Sequence, residues 1–158
     1  MINYLKIKKG FTLIEMLVVV SLIGVLTTLV AANLNSARER ARDTQRKSDL
    51  RNIETGLRLY YQDYQAFPGN GSGGEISGCG ADGISVCSWG GNWSDSNTTY
   101  MNKMPKDPLP DQSYKYTASS DNESYTLDSC LENKSDDKGQ TTSNLSWCPT
   151  GWMYQVQP

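Results

Sequence analysis

An unbroken apolar run sets the pattern of this chain. It reads Phe11-Thr12-Leu13-Ile14-Glu15-Met16-Leu17-Val18-Val19-Val20-Ser21-Leu22-Ile23-Gly24-Val25-Leu26 and stays mostly apolar or small as far as Leu34. The 24 residues from Phe11 to Leu34 make about 36 Å of helix, enough to cross a hydrocarbon core of about 30 Å. From Asn35 the background turns charged, but the helical spacing persists through Leu34, Ala37, Ala41, Thr44, Leu50, Ile53, Leu57, Tyr60, Tyr61 and Tyr64. No proline or glycine cluster interrupts it before Pro68-Gly69, and Gly56 is the one weak place. The pattern predicts a single helix over residues 11–64, about 81 Å long. Its second half is expected to lay Leu50, Ile53, Leu57 and Tyr61 on a globular part.

Beyond residue 64 the period changes. Residues 66–99 are rich in Gly, Ser, Asn and Asp, which predicts a long irregular loop with Trp89 and Trp93 as packing anchors. Pro105 and Pro108 bracket a rigid turn. Ser113–Ala118 and Glu123–Leu131 read as paired strands around an Asp121-Asn122 turn, and Trp152–Val156 as a third. Tyr114, Tyr116, Tyr125 and Leu127 then share the face towards the helix. The expected fold class is α+β: a long N-terminal helical spine, transmembrane in its first half, packed on a small C-terminal antiparallel sheet over about 113–156. The expected divisions are a leader at 1–10, a membrane or filament-core half at 11–34, an amphipathic half at 35–64, and a head at 65–158.

Charge sharpens this division. Between Arg38 and Arg58 seven Lys/Arg face four Asp/Glu, giving +3; from Leu59 onward five Lys face twelve Asp/Glu, giving −7. The acidic half speaks against a nucleic-acid surface there, and no nucleic-acid partner is expected. The Arg-rich stretch suits acidic neighbours or DNA, but is read first as a solvated helix face with i,i+4 pairs around Glu39, Arg42, Asp43 and Lys47. Lys6, Lys8 and Lys9 precede the apolar run, which places the N-terminus in the cytoplasm and the head outside the inner membrane. The apolar run is longer than a secretory signal and no small-residue cleavage site follows it. Cys79, Cys87, Cys130 and Cys148 then read as two disulfides. Three connectivities exist; Cys79–Cys87 with Cys130–Cys148 is favoured because both close short loops.

Glu15 is the one charge inside the apolar run. A carboxylate there costs about 2.5–3.5 kcal/mol on insertion scales and needs a reason. Lys8-Lys9-Gly10-Phe11-Thr12-Leu13-Ile14-Glu15 resembles the leader junction of type IV pilins and type II secretion pseudopilins, and Tyr100–Pro108 resembles the segment that leads into their sheet. The resemblance implies cleavage after Gly10 by a prepilin peptidase, N-methylation of Phe11, and assembly by a membrane platform. It also implies that Glu15 faces the Phe11 ammonium of a neighbour, each charge tolerable in apolar surroundings only as a pair. That pairing sets axial register in a self-polymer. Many relatives carry a proline where this chain has Ala32, so their kink is not expected here, and Gly24 with Thr27-Thr28 are the next candidates for local weakness.

The leading expectation is a structural subunit of a type IV pilus-like extracellular filament, held in the cytoplasmic membrane by a single pass before assembly. The alternatives are a pseudopilin of a type II secretion or DNA-uptake system, and a monomeric membrane-tethered binding domain. No catalytic constellation appears: the chain lacks histidine, a nucleophile elbow and a phosphate loop, so no enzyme is expected. No cofactor is expected either. The resemblance does suggest calcium in the Glu132–Gly139 segment, with Asp128, Asp136 and Asp137 as candidate ligands. Lys134 and Lys138 dilute the charge there and no loop signature matches.

Overall fold

In a computed structural model of the chain, residues 10–158 are described, without the side chains of Leu29 and Ala32. The leader residues before Gly10 lie outside the described residues. A single helix, α1, runs Leu13–Tyr64 over 52 residues. It starts two residues later than the hydrophobic pattern suggested, because Thr12 caps it. Residues up to Arg38 form one compact unit and Glu39–Pro158 another.

In the first unit every described apolar side chain from Phe11 to Leu34 is exposed. The helix nevertheless closes its own polar groups. Ser21 Oγ donates to the Leu17 carbonyl at 2.8 Å, Thr27 Oγ1 to Ile23 at 2.7 Å and Thr28 Oγ1 to Val25 at 2.8 Å. Such back-bonding satisfies hydroxyls where no water is present. Gly24 and Thr27-Thr28 lie within unbroken helix.

The second unit holds the core. Leu50, Ile53 and Leu57 are fully buried, one turn apart along the helix, against Tyr114, Tyr116, Tyr125 and Leu127. Tyr60, not Tyr61, is the core tyrosine of the last turns; Tyr61 stays part-exposed and packs on Phe67 with ring centroids 4.7 Å apart. Eight strands follow: β1 Ile76–Cys79, β2 Ser85–Cys87, β3 Trp93–Ser94, β4 Thr99–Met101, β5 Lys115–Ala118, β6 Tyr125–Cys130, β7 Gln140–Thr141 and β8 Trp152–Val156. The main sheet has the order β5-β6-β8-β7, all pairs antiparallel. Tyr116 pairs with Leu127 and Ala118 with Tyr125, which sends the apolar face to the helix as the alternation required. Asn122 takes φ 56° in the turn between β5 and β6.

Residues 66–99 are not an irregular loop. They form the β1–β2 hairpin, stapled by Cys79–Cys87, and begin the β3–β4 hairpin. The strands are two to four residues long, too short to leave an alternating pattern in a Gly- and Ser-rich stretch. Gly78 takes φ 134°, and a Cβ there would meet Tyr60, Pro68 and Trp93 within 3.5 Å. Trp93 is fully buried against Tyr60 and Tyr100, while Trp89 packs edge-on to Tyr114. The second disulfide joins Cys130 at the end of β6 to Cys148.

Candidate functional site

The chemistry at the start of α1 is a reciprocal cap. Thr12 Oγ1 accepts from the Glu15 N–H at 3.2 Å, and Glu15 Oε2 accepts from the Thr12 N–H at 2.8 Å and from Thr12 Oγ1 at 2.9 Å. This is a capping box, in which two orphan donors of the first helical turn are satisfied by one residue pair. The sequence signal was present as T-x-x-E before an apolar run, yet Glu15 was read as an intermolecular charge partner and not as a cap. Glu15 therefore has work within its own chain. Its Oε1 accepts no hydrogen bond among the described residues and remains available to a further cation. Gly10 and Phe11 precede the cap and are exposed, and a Cβ at Gly10 would touch nothing within 4 Å.

A second polar centre lies inside the unit beginning at Glu39. Arg46 is fully buried, with its guanidinium shared by three carboxylates. Nε and Nη2 donate to Asp107 Oδ2 and Oδ1 at 2.8 and 2.9 Å, a two-pronged fork. Nη1 donates to Asp43 Oδ1 at 2.8 Å and to Glu132 Oε1 at 2.7 Å. Asp43 in turn accepts the backbone N–H groups of Glu132 and Asn133. Arg42 forks onto Glu132, and Lys47 pairs with Asp136. Burial opposes the charge on Arg46, but the bonds to Asp107, Glu132 and Asp43 outweigh it and hold its pKa above the ordinary value. Glu132 is held below the usual carboxylate range, chiefly by Arg42. The stretch Arg42–Lys47 is thus no solvated face of i,i+4 pairs. It latches α1 to the turn at Asp107 and to the 132–136 segment. Arg46 lies four residues before Leu50 and seven before Ile53, so its place in the buried stripe was legible from spacing.

The three calcium candidates are not brought together. Asp128 is buried on β6 and accepts from Gln155 Nε2 at 2.7 Å; burial pushes its pKa up. Asp136 is taken by Lys47, and Asp137 is exposed. Among the described residues no three His, Cys, Asp or Glu side chains gather to hold a metal ion. As placed, the three do not converge: Lys47 holds Asp136 and Gln155 holds Asp128. A third cluster has Tyr64 and Tyr100 hydroxyls donating to Asp95 at 2.6 and 3.1 Å. Those bonds, with the N–H groups of Asn97 and Thr98, lower the Asp95 pKa to about 2.

Residues 5–31 match the prokaryotic N-terminal methylation motif, and residues 33–146 match type II secretion system protein G. Type II secretion system core protein G of Pseudomonas aeruginosa is 33% identical over 111 residues, covering 70% of this chain and 74% of that protein. The corresponding protein of Escherichia coli is 38% identical over 66 residues, 42% of this chain and 46% of that one. The type IV wide pilus major component PilA4 of Thermus thermophilus is 37% identical over 62 residues, 39% of this chain and 47% of its own. The Escherichia and Thermus matches thus span under half of the relative. No solved structure matches the chain. The apolar helix has the length and composition to cross a membrane. With matches running from residue 5 to residue 146, the chain belongs to the type II secretion system protein G family, whose members are structural pseudopilin and pilin-type subunits and not enzymes.

Proposed function

We propose that this protein is a filament subunit made as a membrane-anchored precursor. A prepilin peptidase cuts it after Gly10 and methylates the new amine of Phe11, and a membrane platform then extracts it into a polymer. One observation carries the reading: the exposed apolar surface from Phe11 to Leu34 bears a single charge, Glu15, placed one turn from the future N-terminus. Lipid covers that surface before assembly and neighbouring copies cover it afterwards. Glu15 Oε1 takes the Phe11 ammonium of a neighbour, which fixes register. The secretion-pseudopilus reading leads the surface-pilus one, because the likeness to protein G extends well beyond the N-terminal helix. The pilus reading keeps support from the likeness to PilA4.

The capping box makes the test sharper. Glutamine at position 15 can still close the box, whereas leucine cannot. Intact mass of the assembled subunit should start at Phe11 with one added methyl. Glu15→Gln and Glu15→Leu should both insert in the membrane and both fail to polymerise, because both lack the charge. Normal filaments from Glu15→Gln would leave Glu15 with the cap alone. An uncleaved chain would instead favour a monomeric tethered head.

A further inference from the structure

The basic residues of α1 divide into two groups. Arg42, Arg46, Lys47 and Arg58 are each ion-paired within the chain. Arg40 and Arg51, like Arg38, are exposed and form no ion pair among the described residues. They stand eleven residues apart, about three turns, and so on one side of the helix. Between them on that side Thr44 and Ser48 are exposed and uncharged, and Lys47 is engaged by Asp136.

An opposite patch lies elsewhere on the same unit. Asp82, Asp121 and Glu123 are exposed and also lack ion-pair partners among the described residues. Their two turns adjoin, since Gly83, Ile84 and Asn122 line one cavity with Tyr64 and Phe67. The Phe67 N–H donates to the Asn122 carbonyl at 2.8 Å, which fixes this patch just past the C-terminal end of α1. Asp121 accepts from Ser119 Oγ and from the Glu123 N–H, and both bonds keep it ionised.

Arg51 lies thirteen residues before Tyr64, about 20 Å along the axis, and Arg40 lies about 36 Å before it. The two patches are therefore offset along the helix. A contact between them is heterologous, the kind that propagates into an open helical polymer and does not close a dimer. We propose that the Arg40/Arg51 face of one copy docks on the Asp82/Asp121/Glu123 patch of the next copy in the filament, a reading that rests on the polymer function above. Exposed ion pairs are individually weak, but this contact repeats at every subunit and sets orientation on approach. Nucleic acid is the poorer occupant. The two unpaired guanidinium groups of this face neutralise two phosphates, few for stable binding, and the head around them is acidic.

Full-length precursors carrying Arg40→Glu/Arg51→Glu, Asp121→Lys/Glu123→Lys, or all four changes should be made in cells with a prepilin peptidase and assembly platform. Sheared filament should fall about tenfold in each double variant and return in the combined one. The melting midpoint of the head separates lost docking from lost folding. Should a reversal unfold the head, Arg51→Cys/Glu123→Cys in an otherwise unchanged chain decides: oxidised filaments should give a ladder of covalent multimers, and monomer alone overturns the contact. Wild-type filament yield from the reversed variants overturns it as well. So does normal assembly combined with lost retention of duplex DNA, which would assign the face to nucleic acid. A parent chain that is never cut at Gly10 sinks the function reading and this contact with it, whereas cut parent filaments with indifferent variants sink only the contact.

Discussion

At the scale of single residues, Arg46 is the side chain whose loss should be felt most. Its removal leaves Asp43, Asp107 and Glu132 facing one another in a buried place with Arg42 alone to compensate. Arg46→Met should cost about 3–5 kcal/mol, read from chemical denaturation. Arg46→Lys should recover little, because one ammonium cannot fork onto Asp107 and still reach the other two carboxylates. The same latch makes stability depend on acid. Glu132 is depressed below its ordinary value, chiefly by Arg42. Its contribution is fully present above that ordinary value of 4.5 and is lost as pH falls through the lowered one. Asp136 behaves likewise: burial raises it, but Lys47 and the Lys138 N–H bring the net shift below the usual range. Asp128 runs the other way, since burial lifts its pKa and its protonation on acidification favours the fold. The melting midpoint should therefore fall below about pH 4.5. In Glu132→Gln it should start lower at neutral pH and fall less steeply in acid; an unchanged acid slope would remove Glu132 from the account.

At the scale of elements, legibility followed period. The helix and the β5–β6 hairpin were readable because 3.6- and 2-residue repeats run long enough to count, and Leu50, Ile53, Leu57, Tyr116 and Leu127 sit where those repeats put them. The short hairpins within 66–101 were not, because strands of two to four residues are fixed by turn glycines, a disulfide and the burial of Trp93, which are tertiary facts. The latch was half legible: Arg46 falls on the buried stripe, but its partners Asp107 and Glu132 come from 61 and 86 residues away. Gly56 shows the same division. Sequence marks it as a weak helical position, while the structure gives it a reason, because a Cβ there would sit 3.0 Å from Trp93 and 3.1 Å from Met101. Gly56→Ala gains about 1 kcal/mol of helix propensity, but forcing Trp93 aside costs about 1–3 kcal/mol. A net loss is expected for alanine and a larger one for Gly56→Val, checked by thermal melting. A stabilised alanine variant would mean that Met101 and Trp93 yield easily. The disulfides act on this scale too. The 18-residue Cys130–Cys148 loop should contribute about 3 kcal/mol and the 8-residue Cys79–Cys87 loop slightly less. Paired Cys→Ala variants, compared by denaturation, should rank in that order.

At the scale of the whole molecule, two compact units make unequal demands. The unit from Glu39 onward buries its own aromatic and aliphatic residues and pairs its buried charges. The unit before it exposes every described large apolar side chain from Phe11 to Leu34 and so depends on lipid or on other copies. The boundary between them also carries its own helix-start signal. Ser36-Ala37-Arg38-Glu39 has the S-x-x-E spacing of a capping box, as Thr12-Leu13-Ile14-Glu15 has T-x-x-E. A chain shortened to begin at Ser36 should therefore start α1 at that point without fraying into the latch at Asp43 and Arg46. It should be soluble without detergent and monomeric in sedimentation, with a head melting midpoint within about 2 °C of the full chain in detergent. Loss of the near-ultraviolet aromatic signal, or aggregation at neutral pH, would show that the core around Leu50 and Trp93 needs the first 35 residues.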